Sequence, residues 1–529
     1  MALPGVARWI VVGSVFAAGC APLSQAAVNG KPAVALPQDA GSVLQHGFGA
    51  IVERHIEPVS VATVAFSGIE GFKKIDPRFA IAREGDQLVA SVSETVVGRH
   101  WAPADNDTAG WSNLTLAIAS EARTASDRLA AASTEGLYEA VFDTALASLD
   151  RFSRYATAEE ARDHRASRNG FGGVGIVYEP AGEALQISSV VTDGPAARAQ
   201  LQVGDRLTHI DGTSVAGLDK KEVARRLRGA VASEVKLTIL RPGATEPVTV
   251  AVRRSLVVPP TASMKLTDGV AVIRVTGFNQ RTAAGVAERI RQARDEAGAG
   301  LKGVVLDLRG NPGGLLDQAV AIADQFMSAG KIVTTRGRHR SASQSYDAVP
   351  GDLAEDLPAV VIVDAKSASA SEILAAALQD AGRAVVIGTN SYGKGTVQTV
   401  VRMPNDGEMT LTWSRFYSPS GYAIHGLGVL PTICTSSKDK EGNTPAISAA
   451  MFADPAPYGV QLAAWRSLPI EEREARQNLR KTCPSELRTE AGLEVEVARR
   501  LLADPALYER NVTAGRGPAG VQRAAHRAG

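Results

Sequence analysis

Short apolar runs alternate with helical segments between residues 269 and 388, and this alternation constrains the fold more than any other feature of the sequence. Brief runs rich in valine and isoleucine are typical of buried strands, whereas longer alanine-rich segments are typical of helices. Strands that alternate with helices form a mostly parallel sheet with helices on its faces. The predicted strands are 269–275, 303–309, 332–335, 359–364 and 384–388, and the predicted helices are 280–293, 315–327 and 373–379.

The length and charge of the chain set outer limits on its class. Its 529 residues are enough for several domains. Basic and acidic side chains nearly balance, at 57 against 56, so no overall positive field attracts nucleic acid or membrane. Partners must therefore be selected by a particular site.

Residues 1–26 are predicted to be an export signal. Arg8 precedes an apolar run at 9–19 that is too short to span a bilayer, and small residues follow it. Two processing routes stay open. The sequence Ala-Ala-Gly-Cys at 17–20 resembles a lipoprotein cleavage box with Cys20 as the acylated residue, whereas Ser-Gln-Ala at 24–26 fits ordinary signal cleavage. Either route predicts the bacterial periplasm or cell envelope.

The chain has three cysteines, Cys20, Cys434 and Cys483. Export to an oxidising compartment predicts a disulfide between Cys434 and Cys483, and the alternative is two unrelated buried thiols. No cysteine or histidine grouping has the spacing of a zinc site, and the eight histidines are scattered. We therefore expect neither a metal nor a cofactor.

Residues 27–168 are predicted to form a mainly helical region. A short helix is expected at 41–56, strands at 79–97, and helices throughout 113–164, where apolar residues recur at spacings of three and four. Packing, dimerisation or the shaping of an entrance are the roles open to this region.

A glycine-rich loop begins the next region, 169–256. The Lys-Ser/Thr pair of a phosphate-binding loop does not follow it, so a nucleotide site is disfavoured. Gly194-Pro-Ala and Val-Gly-Asp-x-Leu-x-x-Ile-Asp-Gly at 203–212 instead resemble a PDZ domain. The resemblance implies that a peptide adds as a strand while loop amides receive its carboxylate. Those loop residues would be Phe171, Gly172, Gly173 and Val174, and a purely structural role is the alternative.

Three serines follow the predicted strand 359–364, namely Ser367, Ser369 and Ser371. A serine at the start of a helix lies beside free N–H groups that stabilise a developing oxyanion. The alternative is a serine-rich cap on a packed helix. Lys394 lies between two glycines after the strand 384–388, and burial there would favour its neutral form and let it act as a base.

The motifs occur in the order Leu-Asp-Leu-Arg-Gly-Asn-Pro-Gly-Gly, Ser-Ala-Ser-Ala-Ser-Glu and Tyr-Gly-Lys-Gly-Thr-Val-Gln, after the PDZ-like region. Over 149–431 the chain resembles the carboxyl-terminal processing peptidases, also called tail-specific proteases. The resemblance implies Ser369 as nucleophile, Lys394 as base and Gln398, one helical turn beyond, as the partner that orients the lysine. Main-chain amides of Ala370 and of Gly313 or Gly314 would form an oxyanion hole.

Three further expectations concern the neighbours of this predicted dyad. Lys394 should be buried without a carboxylate partner, because only desolvation makes it neutral near pH 7. Glu372 is expected to face solvent or the helix dipole. His425 offers an alternative Ser–His pair, which is disfavoured because the family segment it resembles requires no histidine.

The predicted architecture is thus multidomain α/β: a helical N-terminal region, a PDZ domain, a mostly parallel serine protease core at 257–432, and a helical extension at 433–529. The extension is expected to hold helices at 471–480 and 490–502 and a disordered end from 515. The expected function is a serine endopeptidase that recognises nonpolar C-terminal tails, with an activating adaptor or a second copy of the chain as further partners. The alternative is a non-catalytic peptide-binding scaffold.

Overall fold

The computed structural model describes residues 40–351, 353–354, 357–436, 456–488 and 492–516. The predicted signal at 1–26, its Cys20 and the end of the chain after 516 lie outside these residues. Within them the multidomain α/β class is confirmed, with five sheets and helices that cover them. None of the described helices combines the length and the apolar character that a bilayer crossing requires.

The N-terminal region is mainly helical, as predicted. An antiparallel sheet interrupts the helices, and a later short strand, β4, leaves the region to pair with strand β21 of the protease core, Glu408–Tyr417. The helices are α1 Ala40–Arg54, α2 Val61–Glu70, α3 Thr108–Ala125, α4 Asp127–Ala131, α5 Thr134–Ala147 and α6 Ala158–Asn169, and the strands are β1 Phe79–Glu84, β2 Gln87–Val92, β3 Thr95–Trp101 and β4 Arg154–Ala156.

The apolar core of this region continues into the protease core. Met403, Met409 and Leu411 pack in the same buried cluster as Phe48 and Phe142. Helical side chains and β-strand side chains thus share one core, so the N-terminal region is part of the body that carries the site rather than a separate appendage.

The PDZ-like region forms its own small core. Its sheet has the order β11-β10-β8-β7-β6, which leaves β6 as an edge strand, and β9 pairs with β8. Strand β5 pairs instead with β12. The strands are β5 Phe171–Gly173, β6 Ile176–Ala181, β7 Ala184–Val190, β8 Arg206–Ile210, β9 Thr213–Ser214, β10 Glu234–Leu240, β11 Val248–Arg253 and β12 Ser255–Val257, and the helices are α7 Pro195–Arg198 and α8 Lys220–Leu227.

The predicted parallel sheet has six strands in the order β13-β14-β15-β18-β19-β22. The five strands from β14 onward run parallel, and β13 pairs antiparallel with β14. Strands β15, β18 and β19 are buried at every position, as befits the centre of a sheet covered on both faces. The strands are β13 Ala262–Thr267, β14 Val270–Val275, β15 Gly303–Asp307, β18 Ala359–Val363, β19 Ala384–Gly388 and β22 Ile433–Cys434.

The last two described helices of the chain, Gly492–Ala503 and Pro505–Arg516, cover one face of this sheet. Leu501, Leu502 and Tyr508 pack against Val360 and Val385 in one cluster, while the other face is covered by a separate cluster that includes the helices between the strands. The extension predicted at 433–529 is therefore integral to the core. The helices between the strands are α9 Thr282–Ala297, α10 Leu316–Asp324 and α11 Ala370–Asp380, and those of the extension are α12 Ala456–Ser467, α13 Arg473–Arg480, α14 Gly492–Ala503 and α15 Pro505–Arg516.

One predicted strand was assigned to the wrong sheet. Residues 332–335 lie in β16, which pairs antiparallel with β17 and β21 and not with the parallel sheet. Its burial is incomplete, unlike the continuous burial of β15, because β16 belongs to an antiparallel sheet that is partly exposed. This second sheet has the order β17-β16-β21-β20, with β16 Lys331–Arg336, β17 Gln344–Asp347, β20 Thr396–Arg402 and β21 Glu408–Tyr417.

Candidate active site

The candidate site lies where β15, β18 and β19 end, because parallel strands bring their carboxyl ends to one edge of the sheet. After β18, Asp364 turns the chain by accepting hydrogen bonds from the main-chain N–H groups of Gly310, Lys366 and Ser367, at 2.9, 3.0 and 3.1 Å. One carboxylate thus joins the serine-containing loop to the glycine-rich loop after β15.

The three candidate serines differ in what their side chains do. Ser367 and Ser371 are fully buried, and their hydroxyls donate to the main-chain oxygens of Leu308 and Asn311 at 2.9 and 3.0 Å. Both side chains are therefore used to hold the loops together. Ser369 is partly exposed at the start of α11, which leaves it as the serine that a substrate can reach.

Ser369 has an unusual backbone conformation, with φ 55° and ψ −113°. L-residues rarely adopt this region, and such strain persists only when the surrounding structure enforces it. Here Glu372 fixes the serine by accepting its main-chain N–H at 2.8 Å. The sharp turn between strand and helix projects the side chain from the loop.

Lys394 lies in the loop between β19 and β20, between Gly393 and Gly395. A Cβ at Gly395 would approach the main-chain nitrogen of His425 to 2.0 Å, so the loop runs against another backbone and needs glycine there. The Lys394 Nζ lies 5.2 Å from the centre of the Phe152 ring. Phe152 comes from the N-terminal region, and its ring lies alongside the lysine.

Glu372 corrects one of our expectations. We predicted that it faces solvent or the helix dipole, but it is completely buried, because every residue of α11 is buried. Its carboxylate accepts hydrogen bonds from the Ser391 hydroxyl at 2.5 Å and from the N–H groups of Ser369, Gly393 and Lys394 at 2.8, 2.6 and 2.9 Å. Desolvation raises its pKa, and these four donors oppose that rise.

The same carboxylate oxygen, Oε2 of Glu372, accepts both the Ser369 and the Lys394 N–H groups. The two residues are 25 positions apart in the chain, yet their main-chain N–H groups donate to the same oxygen atom. Glu372 therefore brings the predicted nucleophile and the predicted base together. The Ser369 hydroxyl and the Lys394 amine are not hydrogen bonded to each other, and such contacts often tighten only with substrate present.

The environment of Lys394 lowers its pKa from the ordinary 10.5. Desolvation is the largest cause, and the positive charge of Arg154 acts in the same direction, whereas Glu372 and Asp150 oppose it. Lys394 forms no salt bridge within the described residues. A lysine in this setting releases its proton more readily than a solvated one.

Gln398 does not occupy the position we expected. It lies in strand β20 and not one helical turn beyond Lys394, and its amide donates to the side-chain and main-chain oxygens of Thr396 at 2.8 and 3.3 Å. A strand carries the chain away at more than 3 Å per residue, about twice the rise of a helix. Within the described residues no hydrogen bond joins Gln398 to the lysine, and its role as the partner that orients Lys394 stays a prediction.

The loop after β15 lies directly against the serine. A Cβ at Gly313, whose φ is +100°, would approach the Ser369 Cβ to 2.9 Å and the Ala368 main-chain oxygen to 2.7 Å. The Gly313 N–H donates to the Asn311 side chain at 2.9 Å and is already used. The N–H groups of Gly314 and Ala370 have no acceptor among the described residues, which makes this pair the better candidate for an oxyanion hole.

His425 lies near the site but is poorly suited to act as a base. Its ring packs edge-on against Phe152 at 6.1 Å, and its buried Nδ1 has no hydrogen-bond partner in the described part of the chain. Burial, together with the charges of Arg415 and Arg151, lowers its pKa to about 4. No hydrogen bond links it to Ser369 within the described residues.

The predicted peptide-binding loop of the PDZ-like region begins with a short strand. Phe171, Gly172 and Gly173 form β5, Val174 is buried after it, and Gly172 accepts a hydrogen bond from Gly229 N–H at 2.9 Å. The Arg228 guanidinium covers the Phe171 ring at 4.3 Å. The loop leads directly into the free edge strand β6.

Sequence reasoning missed two functional neighbours, Glu372 as an organiser and Phe152 as the cover of Lys394. The spacing Ser369-x-x-Glu372 is a capping pattern and gave a signal for the first. No local signal exists for the second, because Phe152 reaches the lysine across 242 positions of sequence that the fold brings together. Cys434 and Cys483, the pair that the sequence suggested, form a disulfide.

Comparisons with known proteins show which proteins this chain is similar to. A protein-family model described as peptidase family S41 matches residues 269–435, and a PDZ domain model matches 186–241. In solved structures, the photosystem II D1 C-terminal processing protease is similar over 75% of this chain and 92% of that chain, with 22% identity and a TM-score of 0.37. The PDZ domain of a Vibrio cholerae carboxy-terminal protease, in complex with peptide, matches 16% of this chain and 96% of that chain at 30% identity and a TM-score of 0.16.

Two curated bacterial relatives extend the match. A carboxy-terminal-processing protease of Bartonella bacilliformis is 38% identical over 299 residues, which cover 56% of this chain and 69% of the relative. A probable CtpA-like serine protease of Staphylococcus aureus is 32% identical over 312 residues, which cover 58% of this chain and 60% of the relative. The chain therefore belongs to peptidase family S41, as a serine-type carboxy-terminal-processing protease that carries a PDZ domain.

Proposed function

We propose that this protein is an endopeptidase in which Ser369 is the nucleophile and Lys394 the general base. One observation carries the proposal: a single oxygen of the Glu372 carboxylate, Oε2, accepts hydrogen bonds from the main-chain N–H groups of both residues, at 2.8 and 2.9 Å. Burial and a lowered pKa suit Lys394 to accept a proton, and the exposure of Ser369 suits it to meet a substrate.

The reaction is acyl transfer in two stages. As Ser369 Oγ bonds to the peptide carbonyl carbon, neutral Lys394 takes the hydroxyl proton and the carbonyl oxygen becomes negative. The C–N bond then breaks, and Lys394 gives its proton to the leaving amine. Water attacks the resulting ester with Lys394 again as base, which releases the carboxylate product and restores the Ser369 hydroxyl.

The oxyanion in this scheme is stabilised by the main-chain N–H groups of Ala370 and Gly314. Both are without an acceptor among the described residues, and Ala370 lies at the positive end of α11. We assign Gly313 a different task. It supplies the room that lets the loop approach Ser369, because a side chain there would strike the serine.

We propose that the PDZ domain selects substrates by a nonpolar C-terminal tail. Strand β6 is a free edge, and a cavity of about 90 Å³ separates it from α8, with Tyr178, Leu185 and Val223 in its lining. An extended tail that adds to β6 places alternate side chains toward α8 and its carboxylate toward the amides of the loop at 171–174.

Export is proposed as well. The disulfide between Cys434 and Cys483 fits an oxidising compartment, and the segment 1–26 with Cys20 supplies either a lipoprotein signal or an ordinary one. Mass spectrometry of the N-terminus of the mature protein distinguishes the two: an acylated Cys20 indicates a lipoprotein, and an unmodified N-terminus after residue 26 indicates ordinary cleavage.

Cleavage of a protein with a nonpolar C-terminal tail tests the proposed function. We expect the chain without residues 1–26 to cleave it and Ser369→Ala to leave it intact while still binding the tail. The non-catalytic scaffold predicts binding without cleavage by both proteins. Cleavage by Ser369→Ala at the rate of the parent would instead show that another residue is the nucleophile.

Amidation of the tail carboxylate tests the role of the PDZ domain separately. Because the amide removes the charge that the loop amides receive, we expect KM to rise about tenfold while kcat changes less than about twofold. A tail-free version of the same substrate provides the control for direct entry into the protease site. Equal KM values for acid and amide would contradict recognition of the carboxylate.

A further inference from the structure

A segment beyond the family match lies against both loops of the candidate site. We call residues 473–488 the brace. It comprises helix α13, which ends at Arg480, and the chain that follows it to residue 488, which includes Cys483. The family match ends at residue 435, so the brace is not part of the matched protease core.

Arg480 joins two stretches of chain around Lys394. Its guanidinium donates to the main-chain oxygens of Ser391 at 2.9 Å and Leu427 at 2.5 Å. Ser391 begins the loop that carries the lysine, and the N–H of Gly426, beside Leu427, donates to the oxygen of Gly393 at 2.9 Å. The arginine therefore fixes both sides of the lysine loop.

The arginine also supplies charge where the site needs it. It forms no salt bridge within the described residues, and burial lowers its pKa while the negative charge of Glu372 opposes that change. Ser391 connects the two groups, because its hydroxyl donates to Glu372 and its main-chain oxygen accepts from Arg480. Four donors favour the ionised form of the carboxylate, and a nearby cation favours it further.

The rest of the brace crosses the ends of the two strands that lead into the site. The main-chain oxygen of Glu486 accepts hydrogen bonds from the Ala365 N–H at 3.0 Å and from the Thr389 hydroxyl at 2.8 Å. Ala365 follows β18, and Thr389 follows β19. The disulfide from Cys483 to Cys434 anchors the brace to β22.

We propose that the brace belongs to the catalytic apparatus and that Arg480 is a positioning residue for Lys394. The inference rests on the proposed roles of Ser369 and Lys394. Arg480 holds the loop so that the amine faces the serine, and its charge keeps Glu372 ionised, which in turn holds both main-chain amides in place.

Substitutions of Arg480 test the proposal, with Arg473→Met as the control because Arg473 is exposed at the start of the same helix. We expect Arg480→Met to lower kcat about tenfold or more with KM within about twofold. Besides the limb at which Lys394 loses its proton, the kcat profile should show a separate acidic limb that reports Glu372, and this second limb should move to higher pH in Arg480→Met because Glu372 becomes protonated more easily. Arg480→Lys should restore the position of that limb by returning the charge.

Hydrogen exchange gives a readout that needs no activity. Main-chain amides at 391–395 should exchange faster in Arg480→Met than in the parent. Their exchange rates in Arg473→Met should equal those of the parent. If Arg480→Met does not fold, Arg480→Gln removes the charge and keeps an amide donor. A folded variant with the parent's kcat, pH profile and exchange rates would overturn the proposal. Cleavage by Ser369→Ala would refute the proposed function instead, and the exchange result would still decide whether Arg480 holds the loop.

Discussion

Lys394→Met is expected to lower kcat at least about a thousandfold without unfolding the protein. Methionine keeps much of the apolar stem that packs beside Phe152 but lacks the amine that takes the proton from Ser369. Removal of a partly buried cation should also leave stability unchanged or slightly raised, because its desolvation cost disappears. Steady-state cleavage of a tail-bearing protein and a thermal unfolding curve measure the two effects.

Lys366→Met provides the matched control for that experiment. Lys366 lies in the serine loop, and its side chain is exposed. We expect its kcat to stay within about twofold of the parent. A comparable loss in both variants would mean that net charge near the site matters rather than the particular lysine, and normal cleavage by Lys394→Met would show that the base lies elsewhere.

Glu372→Gln is expected to have the second-largest effect, on both activity and stability. Glutamine has nearly the same shape, but its NH₂ group would face N–H and O–H donors that the carboxylate now accepts. Each buried donor left without an acceptor costs about 1–3 kcal/mol, so we expect a loss of about 2–4 kcal/mol in the free energy of unfolding. The kcat should fall about a hundredfold, because both Ser369 and Lys394 lose a shared anchor.

Glu474→Gln makes the same chemical change on the exposed face of α13. It should change neither the free energy of unfolding nor the activation free energy of cleavage by more than about 0.5 kcal/mol. Denaturant unfolding and steady-state kinetics on the same preparations provide the comparison. If Glu372→Gln retains the parent's kcat, the carboxylate is not needed to place the two residues, and the central geometric argument fails.

The central strands of the fold were predictable because their sequences are short and mostly apolar, as in β18, Ala-Val-Val-Ile-Val, and in the Val-Val-Leu of β15. Strand β16 was also found, but its sheet was not, since a short strand does not encode its partner. The covering role of α14 and α15 was missed for a related reason. Their sequences mix apolar and charged residues, and only the three-dimensional packing shows that Leu501 and Tyr508 cover the parallel sheet.

At the site, the sequence was informative where function depends on local order and uninformative where it depends on distant contacts. The turn before α11 and the glycines beside Lys394 were visible as patterns. The burial of Glu372 was not, because three of its four donors come from residues 391–394 on another loop. The spacing of Gln398 was misjudged for the opposite reason: a helical turn was assumed for a segment that forms a strand.

The most direct test of the account is the rate at which a fluorophosphonate labels Ser369, measured by intact mass and peptide mapping as a function of pH. Serine attack on phosphorus with loss of fluoride needs the base but no PDZ recognition. We predict one label, at Ser369, with a rate that rises as Lys394 loses its proton and reaches a plateau below the ordinary lysine pKa of 10.5. Lys394→Met should react far more slowly and show no plateau. Labelling of another serine, or an unchanged profile in Lys394→Met, would contradict the proposed dyad.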